Sequence, residues 1–447
     1  MKQINFDRRS VRWLLFGYII LALLGAFLLK LDGMSKVDIS FIDALFTSAS
    51  AVSMTGLIVK NTALDFTFYG QLVILFLVQI GGLGYMGLGI FFYILIRKKI
   101  GFAERNMLKE ALIYPHMEGV IDFLRKILLF VFLAELIGGV LLTLCFALHM
   151  DFKEALWHGF FHSINAFNNA GFSTLETGLI PYRSDFWLNF VISGLIIIGG
   201  IGYFVLLELY LFQRKRLLSL SLHTKIMLVS TIFLIFCATL IVFCFEYNNP
   251  RSIGELSFFD KILSSYFTAV NYRTSGFNTL DISTFKDASL FFGSMFMIIG
   301  GGPGGTAGGV KVTVVAVLLI YTYWVIKNGR VRVFNTELSD DVIKKAFVIA
   351  VGSGVYIVIF ALTLSLLESN YRFIAVLFET SSAFATVGVS VGDGHFLSLS
   401  ALFSDPSKLV IIAVMISGRI GVFAFLMAIF TQEKDKYIKY PQGKVYL

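Results

Sequence analysis

The chain has 447 residues, 57% of them hydrophobic and 15% charged, with a mean hydropathy of +0.80 and a formal charge of +8. This is the composition of an integral membrane protein, and no polar stretch is long enough to form a separate soluble domain. The basic excess is not a nucleic-acid signal, because it sits in short clusters between apolar segments: the N-terminal arginines, Arg97–Lys99, Arg214–Arg216 and Lys327–Arg332. By the positive-inside rule these clusters mark the cytoplasmic side.

In chain order, the apolar stretch from Val11 to Leu31 is longer than the roughly 7 to 15 residues of a signal-peptide core and reads as a retained first span, 11–31. Further crossings are predicted at 69–96, 126–148, 186–213, 226–246, 288–326, 346–367 and 407–430. Between the members of each pair lies a short amphipathic run such as FIDALFTSASAVS from Phe41. As a helix it would extend about 20 Å against a hydrocarbon core of roughly 30 Å, so it enters the membrane without crossing it. Three of the four runs open on a capping pair, Ser40 with Asp43, Asp151 with Glu154 and Ser257 with Asp260; the fourth, near Tyr371, has Arg372 instead. Cys145, Cys237 and Cys244 lie in apolar segments and imply no disulfide framework.

The order span, short run, glycine patch, span occurs four times. The predicted fold is therefore all-α and membrane-integral, with eight transmembrane spans in four parallel helix–re-entrant loop–helix repeats around a pseudo-fourfold pore. The repeats are 1–107, 108–220, 221–336 and 337–447, the third with a broken second helix. The patches align on Gly56, Gly171, Gly276 and Gly388, with Phe46, Phe161, Tyr266 and Phe378 ten residues earlier. A second glycine cluster follows each: IGGLG from Ile80, IGGIG from Ile198, GGGPGGTAGG from Gly300 and SGRIG from Ser417.

Irregular backbone at membrane depth is tolerated only where it is buried or faces water. One such glycine would serve a tight turn. Four at matched positions favour turns meeting at an axis, where their carbonyls replace the hydration shell of a cation. The candidate filter is Thr55–Gly56, Ala170–Gly171, Ser275–Gly276 and Val387–Gly388, with the ion at the ring of four glycines.

The segment from Ala288 to Ile326 has 39 residues, roughly 58 Å if helical, and contains seven glycines and a proline within Gly300–Gly309. At about 1 kcal/mol per glycine and about 3 for proline, helix there is unfavourable by roughly 10 kcal/mol. The expected result is a loop under the filter acting as a gate: Gly300, Gly301, Gly302, Pro303, Gly304, Gly305, Thr306, Ala307, Gly308 and Gly309. Arg419 stands deep in the last span, where charge is costly and by default functional, and is expected to donate to the loop carbonyls and hold it shut.

TVGV at Thr386–Val389 is similar to the TVGYG filter of potassium channels. With the four glycines, the Gly300–Gly309 break, Arg419 and the ending YPQGKV, the sequence resembles the Trk, Ktr and HKT superfamily of potassium transporters, most nearly the bacterial Ktr membrane subunit. The resemblance implies potassium uptake, possibly with sodium as activating ion, by a multi-pass protein of the bacterial inner membrane with both termini cytoplasmic. It also implies a homodimer seated on a cytoplasmic RCK/KTN-type regulatory octamer that binds ATP, ADP or NAD(H), with no cofactor on this chain. Gly56, where sodium-selective plant relatives have serine, implies potassium over a sodium-selective or poorly selective pathway.

The remaining signals are weaker. RKKIGFAERNMLKEAL and QEKDKYIKYPQGKVYL are candidate surfaces for the regulatory partner or for membrane lipids. Gly300, Gly302 and Gly305 formally match a nucleotide fingerprint and Lys311 follows, but no strand precedes them and no phosphate loop is completed. His158 and His162 share a helix face without further metal ligands. Asn165, Asn169, Asn271, Arg273 and Glu379 read as hydrogen-bonded cross-links around the filter, with tuning of the ion path as the alternative. No nucleophile stands with a base, so catalysis has no support; a membrane scaffold or receptor is the rival class.

Overall fold

The computed structural model describes residues 8–84, 119–392, 396–422 and 424–425. The outer parts of the spans expected at 69–96 and 407–430, the Arg97–Lys99 cluster, both candidate docking segments and the boundary between the first two expected repeats lie outside the described residues.

The described chain is predominantly helical: α1 (Arg8–Leu29), α2 (Phe41–Ser53), α3 (Phe68–Leu83), α4 (Val120–Phe146), α5 (Phe152–Phe167), α6 (Phe186–Gly200), α7 (Tyr203–Gln213), α8 (Leu222–Glu246), α9 (Phe258–Asn271), α10 (Asp287–Met297), α11 (Val312–Ile326), α12 (Asp340–Leu367), α13 (Phe373–Ala385) and α14 (Asp405–Ile420). A two-residue hairpin, β1 (Arg332–Val333) with β2 (Thr336–Glu337), joins α11 to α12. Among the described residues α4, α8 and α12 are each long and apolar enough to cross a membrane, and α6 with α7 adds a fourth such unit bent by 100°. The single span expected at 186–213 is thus corrected to two helices, broken at Ile201–Gly202. Gly202 has φ 103° and ψ 132°, a conformation that no α-helix can carry through.

The short helices that precede the glycine patches are α2, α5, α9 and α13, and each lies against the longer helix before it. Small residues permit the close approach: the Ser48 hydroxyl donates to the Ala22 carbonyl at 2.7 Å, and the Ser163 hydroxyl to that of Glu135 at 2.7 Å. Contacts between successive units run α3 on α5, α6 on α9 and α10 on α13, and α14 returns to α2, so the packing closes in a circle. The short helices are the most buried elements, down to their serines and threonines, whereas α1, α4, α8 and α12 turn rows of exposed Leu, Ile and Phe outward.

N-terminal capping follows the sequence in two of three cases. Ser40 accepts from the Asp43 N–H at 3.0 Å and Ser257 from that of Asp260 at 3.2 Å. Asp151 makes no side-chain cap, contrary to expectation. The Asp43 carboxylate does not complete a reciprocal box either; it pairs at 2.7 Å with Lys408 of α14, linking the first and last described helices of the circle.

Candidate ion pathway

Each short helix stops the same way. Met54, Asn169, Thr274 and Thr386 have φ of 57°, 55°, 75° and 53°, each two residues before a patch glycine. This left-handed conformation is uncommon outside glycine and strained for threonine. Backbone bonds hold it: the N–H groups of Thr55, Ala170, Ser275 and Val387 return to the carbonyls of Ser50, Asn165, Asn271 and Ser382 at 2.9 to 3.1 Å. The sequence pointed to the glycines; these four residues were missed, because a Met or a Thr does not signal positive φ, and Asn169 alone is of a type that favours it.

The glycines then come together. Gly56, Gly171, Gly276 and Gly388 have φ of 87°, 71°, 80° and 87°. A Cβ on Gly56 would lie 2.5 Å from the Ala170 oxygen; one on Gly171, 2.8 Å from the Ser275 oxygen and 2.7 Å from the Gly276 Cα. One on Gly276 would lie 3.0 Å from the Val387 oxygen, and one on Gly388 would meet the Thr55 oxygen and the Gly56 Cα, the latter at 2.9 Å. All eight residues Thr55, Gly56, Ala170, Gly171, Ser275, Gly276, Val387 and Gly388 therefore form one narrow ring that no side chain can enter. The C-terminal ends of α2, α5, α9 and α13, with their partial negative charge, stop at this ring.

On one side of the ring lies a cavity of about 90 Å³ lined by the four glycines, Ser173, Ser390 and Asp281, with no cationic side chain on its wall among the described residues. Buried polar groups support it from behind. Glu379 accepts from Ser390 Oγ at 2.6 Å, Ser400 Oγ at 2.5 Å and Ser400 N–H at 3.0 Å. His162 donates from Nδ1 to the His158 carbonyl at 2.7 Å, leaving Nε2 to accept from Ser173 Oγ at 2.9 Å. Both acceptors stand nine residues before the ring glycine and both serines two residues after it. Asn271 bridges Ser275 and Asn278, Asn169 reaches Thr274 at 3.1 Å, and Asn165 bonds back within α5. Arg273 is remote from the cavity wall and reaches the Thr231 hydroxyl at 3.5 Å. Among the described residues no three His, Cys, Asp or Glu side chains form a metal-ligand set, and His158 is engaged with Thr174.

On the other side, Gly300–Gly309 folds under the ring. Gly308 approaches Thr386, with the Ala385 oxygen 3.0 Å from its would-be Cβ, and the Thr306 hydroxyl reaches the Phe167 carbonyl at 3.4 Å. The loop's ends pair like strands: Gly300 N–H donates to Val310 at 2.9 Å, and Val310 N–H to Ile298 at 3.0 Å. Its middle leans on the neighbouring break, with Gly302 donating to Gly200 at 2.8 Å and Tyr203 to Gly304 at 3.2 Å. The loop is therefore closed by a parallel bridge of Ile299 with Val310, and its polar partners are protein groups.

Arg419 spans the space between two units. Its guanidinium donates to the Thr306 carbonyl in the loop and, at 3.0 Å, to the Gly81 carbonyl at the end of α3. Lys311, which sequence reading passed over, donates to Ala307 at 2.6 Å and less closely to Gly308. Two basic side chains thus donate to carbonyls of the loop, and the guanidinium's bonds, being charge-assisted, are worth more than neutral ones.

A helical membrane fold in which four glycine turns meet in one narrow ring, with the Gly300–Gly309 loop packed beneath it, is an arrangement suited to membrane transport of small ions. The cation transport protein family TrkH matches residues 13–440, and the chain belongs to this family. The chain is 38% identical to the Ktr system potassium uptake protein B of Bacillus subtilis, over all of this chain and 98% of that protein. It is 35% identical to the protein of the same name from Vibrio alginolyticus, over 97% and 94%. To the potassium/sodium uptake protein NtpJ of Enterococcus hirae it is 34% identical, over 100% and 99%. The crystal structure of the potassium transporter TrkH from Vibrio parahaemolyticus superposes with a TM-score of 0.75, at 18% identity over 96% of this chain and 86% of that one. The family is one of membrane cation transporters, not of enzymes.

Proposed function

We propose that this chain carries potassium into the cell through a pore formed by four helix–re-entrant loop–helix units and eight spans. Support for the fourfold plan comes from the recurring left-handed stop before each ring glycine and from the circle of packing that α14 closes on α2. The observation that carries the function is the ring itself: four chain positions expose carbonyls where any Cβ would collide. Such a ring replaces the water of a dehydrated cation, and the names of the relatives make potassium the cargo.

Gly300–Gly309 is the gate and Arg419 its latch. A cytoplasmic nucleotide-binding ring of RCK/KTN type would move the loop, and the chain would act as a homodimer in the bacterial inner membrane with both termini inside. A sodium-linked version of the same reading is favoured by one observation, the potassium/sodium relative matched over its full length.

Ion flux into vesicles containing the full chain tests the reading. Potassium or rubidium uptake should exceed sodium uptake severalfold; uptake of both at equal rates would replace it by an unselective pathway, and none in the presence of the cytoplasmic partner would remove it.

A further inference from the structure

We propose that the groove between α4 and α7 is a binding site for one anionic phospholipid. The 100° bend after α6 swings α7 across α4 and leaves a cavity of about 300 Å³ between them. Its walls are apolar, with Phe130, Leu133 and Leu207 among them, while Lys126, Arg216 and Tyr210 complete the lining. Lys126 belongs to the second turn of α4 and Arg216 stands three residues beyond the last residue of α7, after Arg214 and Lys215, so a cluster of cations lies at this end of the groove. Among the described residues the only acidic neighbour in an ion pair here is Asp122, 3.3 Å from Lys126, against four cations.

Any acyl chain can lie on an apolar surface; what selects a lipid is the cationic end, which matches a phosphate headgroup lacking a compensating amine. A second cavity, of about 400 Å³ between α3, α4 and α5, provides the contrast. Its polar end is Gln79 and Glu135, and among the described residues no Lys or Arg lines it to pair with such a headgroup.

The site also touches the loop. Its floor is Tyr203, whose N–H donates to Gly304 at 3.2 Å and whose hydroxyl donates to Gly82 at 3.1 Å. An occupied groove buttresses the residue that pins the loop; this clause rests on reading the loop as a gate, whereas lipid binding does not.

Native mass spectrometry of the full chain, released from micelles holding equal phosphatidylglycerol and phosphatidylcholine, tests binding. The wild type should retain phosphatidylglycerol preferentially. Lys126→Gln with Arg216→Gln, both at exposed positions, should lower that retention about fivefold per cation removed. Leu207→Trp, which fills the groove and keeps the cations, should abolish it. Retention without preference, or retention unchanged in either variant, overturns the site. In vesicles, phosphatidylglycerol should lower rubidium uptake by the wild type and not by the double variant; a fall equal in both, or none in the wild type, overturns the link to the loop.

Discussion

The glycine ring and the loop beneath it are built by opposite means. The ring repeats one local solution four times: a left-handed stop, a carbonyl, a glycine with positive φ. The loop breaks a pattern that the other units keep. Gly84, Gly202 and Gly421 end α3, α6 and α14 in nearly one conformation, with φ of 72°, 103° and 93° and ψ of 130° to 132°. Among the described residues, only between α10 and α11 does the corresponding interruption widen into a loop closed on itself by a parallel bridge. Similar walls make a passage of even width, and a single dissimilar wall suffices to obstruct it. Selectivity should therefore live in what the units share, and control in what one of them has alone.

The sharpest way to break this division is at the ring. Gly388→Ala forces a Cβ onto the Thr55 oxygen and the Gly56 Cα, and imposes φ of 87° on alanine. Uptake should fall on the order of 100-fold, the scale at which an ångström of misplacement costs function; near-normal rubidium uptake would mean the ring does not carry the ion. At the loop the sign reverses. Arg419→Ala removes charge-assisted bonds worth about 2 kcal/mol, so basal flux without the cytoplasmic partner should rise about 30-fold. Lys311→Met removes the close bond to Ala307 and should raise it by about tenfold or less.

Glu379→Gln keeps the shape behind the ring while one oxygen becomes a donor facing a serine. The ratio of potassium to sodium uptake should drop a few-fold, by roughly 1 kcal/mol, with total flux less affected. The smallest effect separates a made cap from an absent one. Ser40→Ala should cost about 1 kcal/mol in thermal unfolding, and Asp151→Ala nearly nothing.

Much of the site was legible because glycine and arginine are conspicuous where they stand. Gly56, Gly171, Gly276 and Gly388 meet in space as their spacing implied, and Arg419 reaches the loop. What escaped notice depends on tertiary contact. Thr274 and Thr386 accept a conformation their side chains disfavour, because surrounding bonds over-determine it. Lys311 read as the tail of a motif, and its role appears only when the chain doubles back on Ala307. The IGGIG cluster from Ile198 marked a kink at Gly202, but apolar residues run on both sides of it, so hydropathy gave no angle for the chain beyond. Asp151 had the residue type of a cap without the geometry.

The division of labour between ring and loop is tested most directly by one ratio, potassium to sodium flux in vesicles, measured for the wild type and for Arg419→Ala. If the ring selects and the loop only obstructs, total flux rises and the ratio stays at its wild-type value. A ratio that collapses as flux rises, or a flux that does not change, would contradict it.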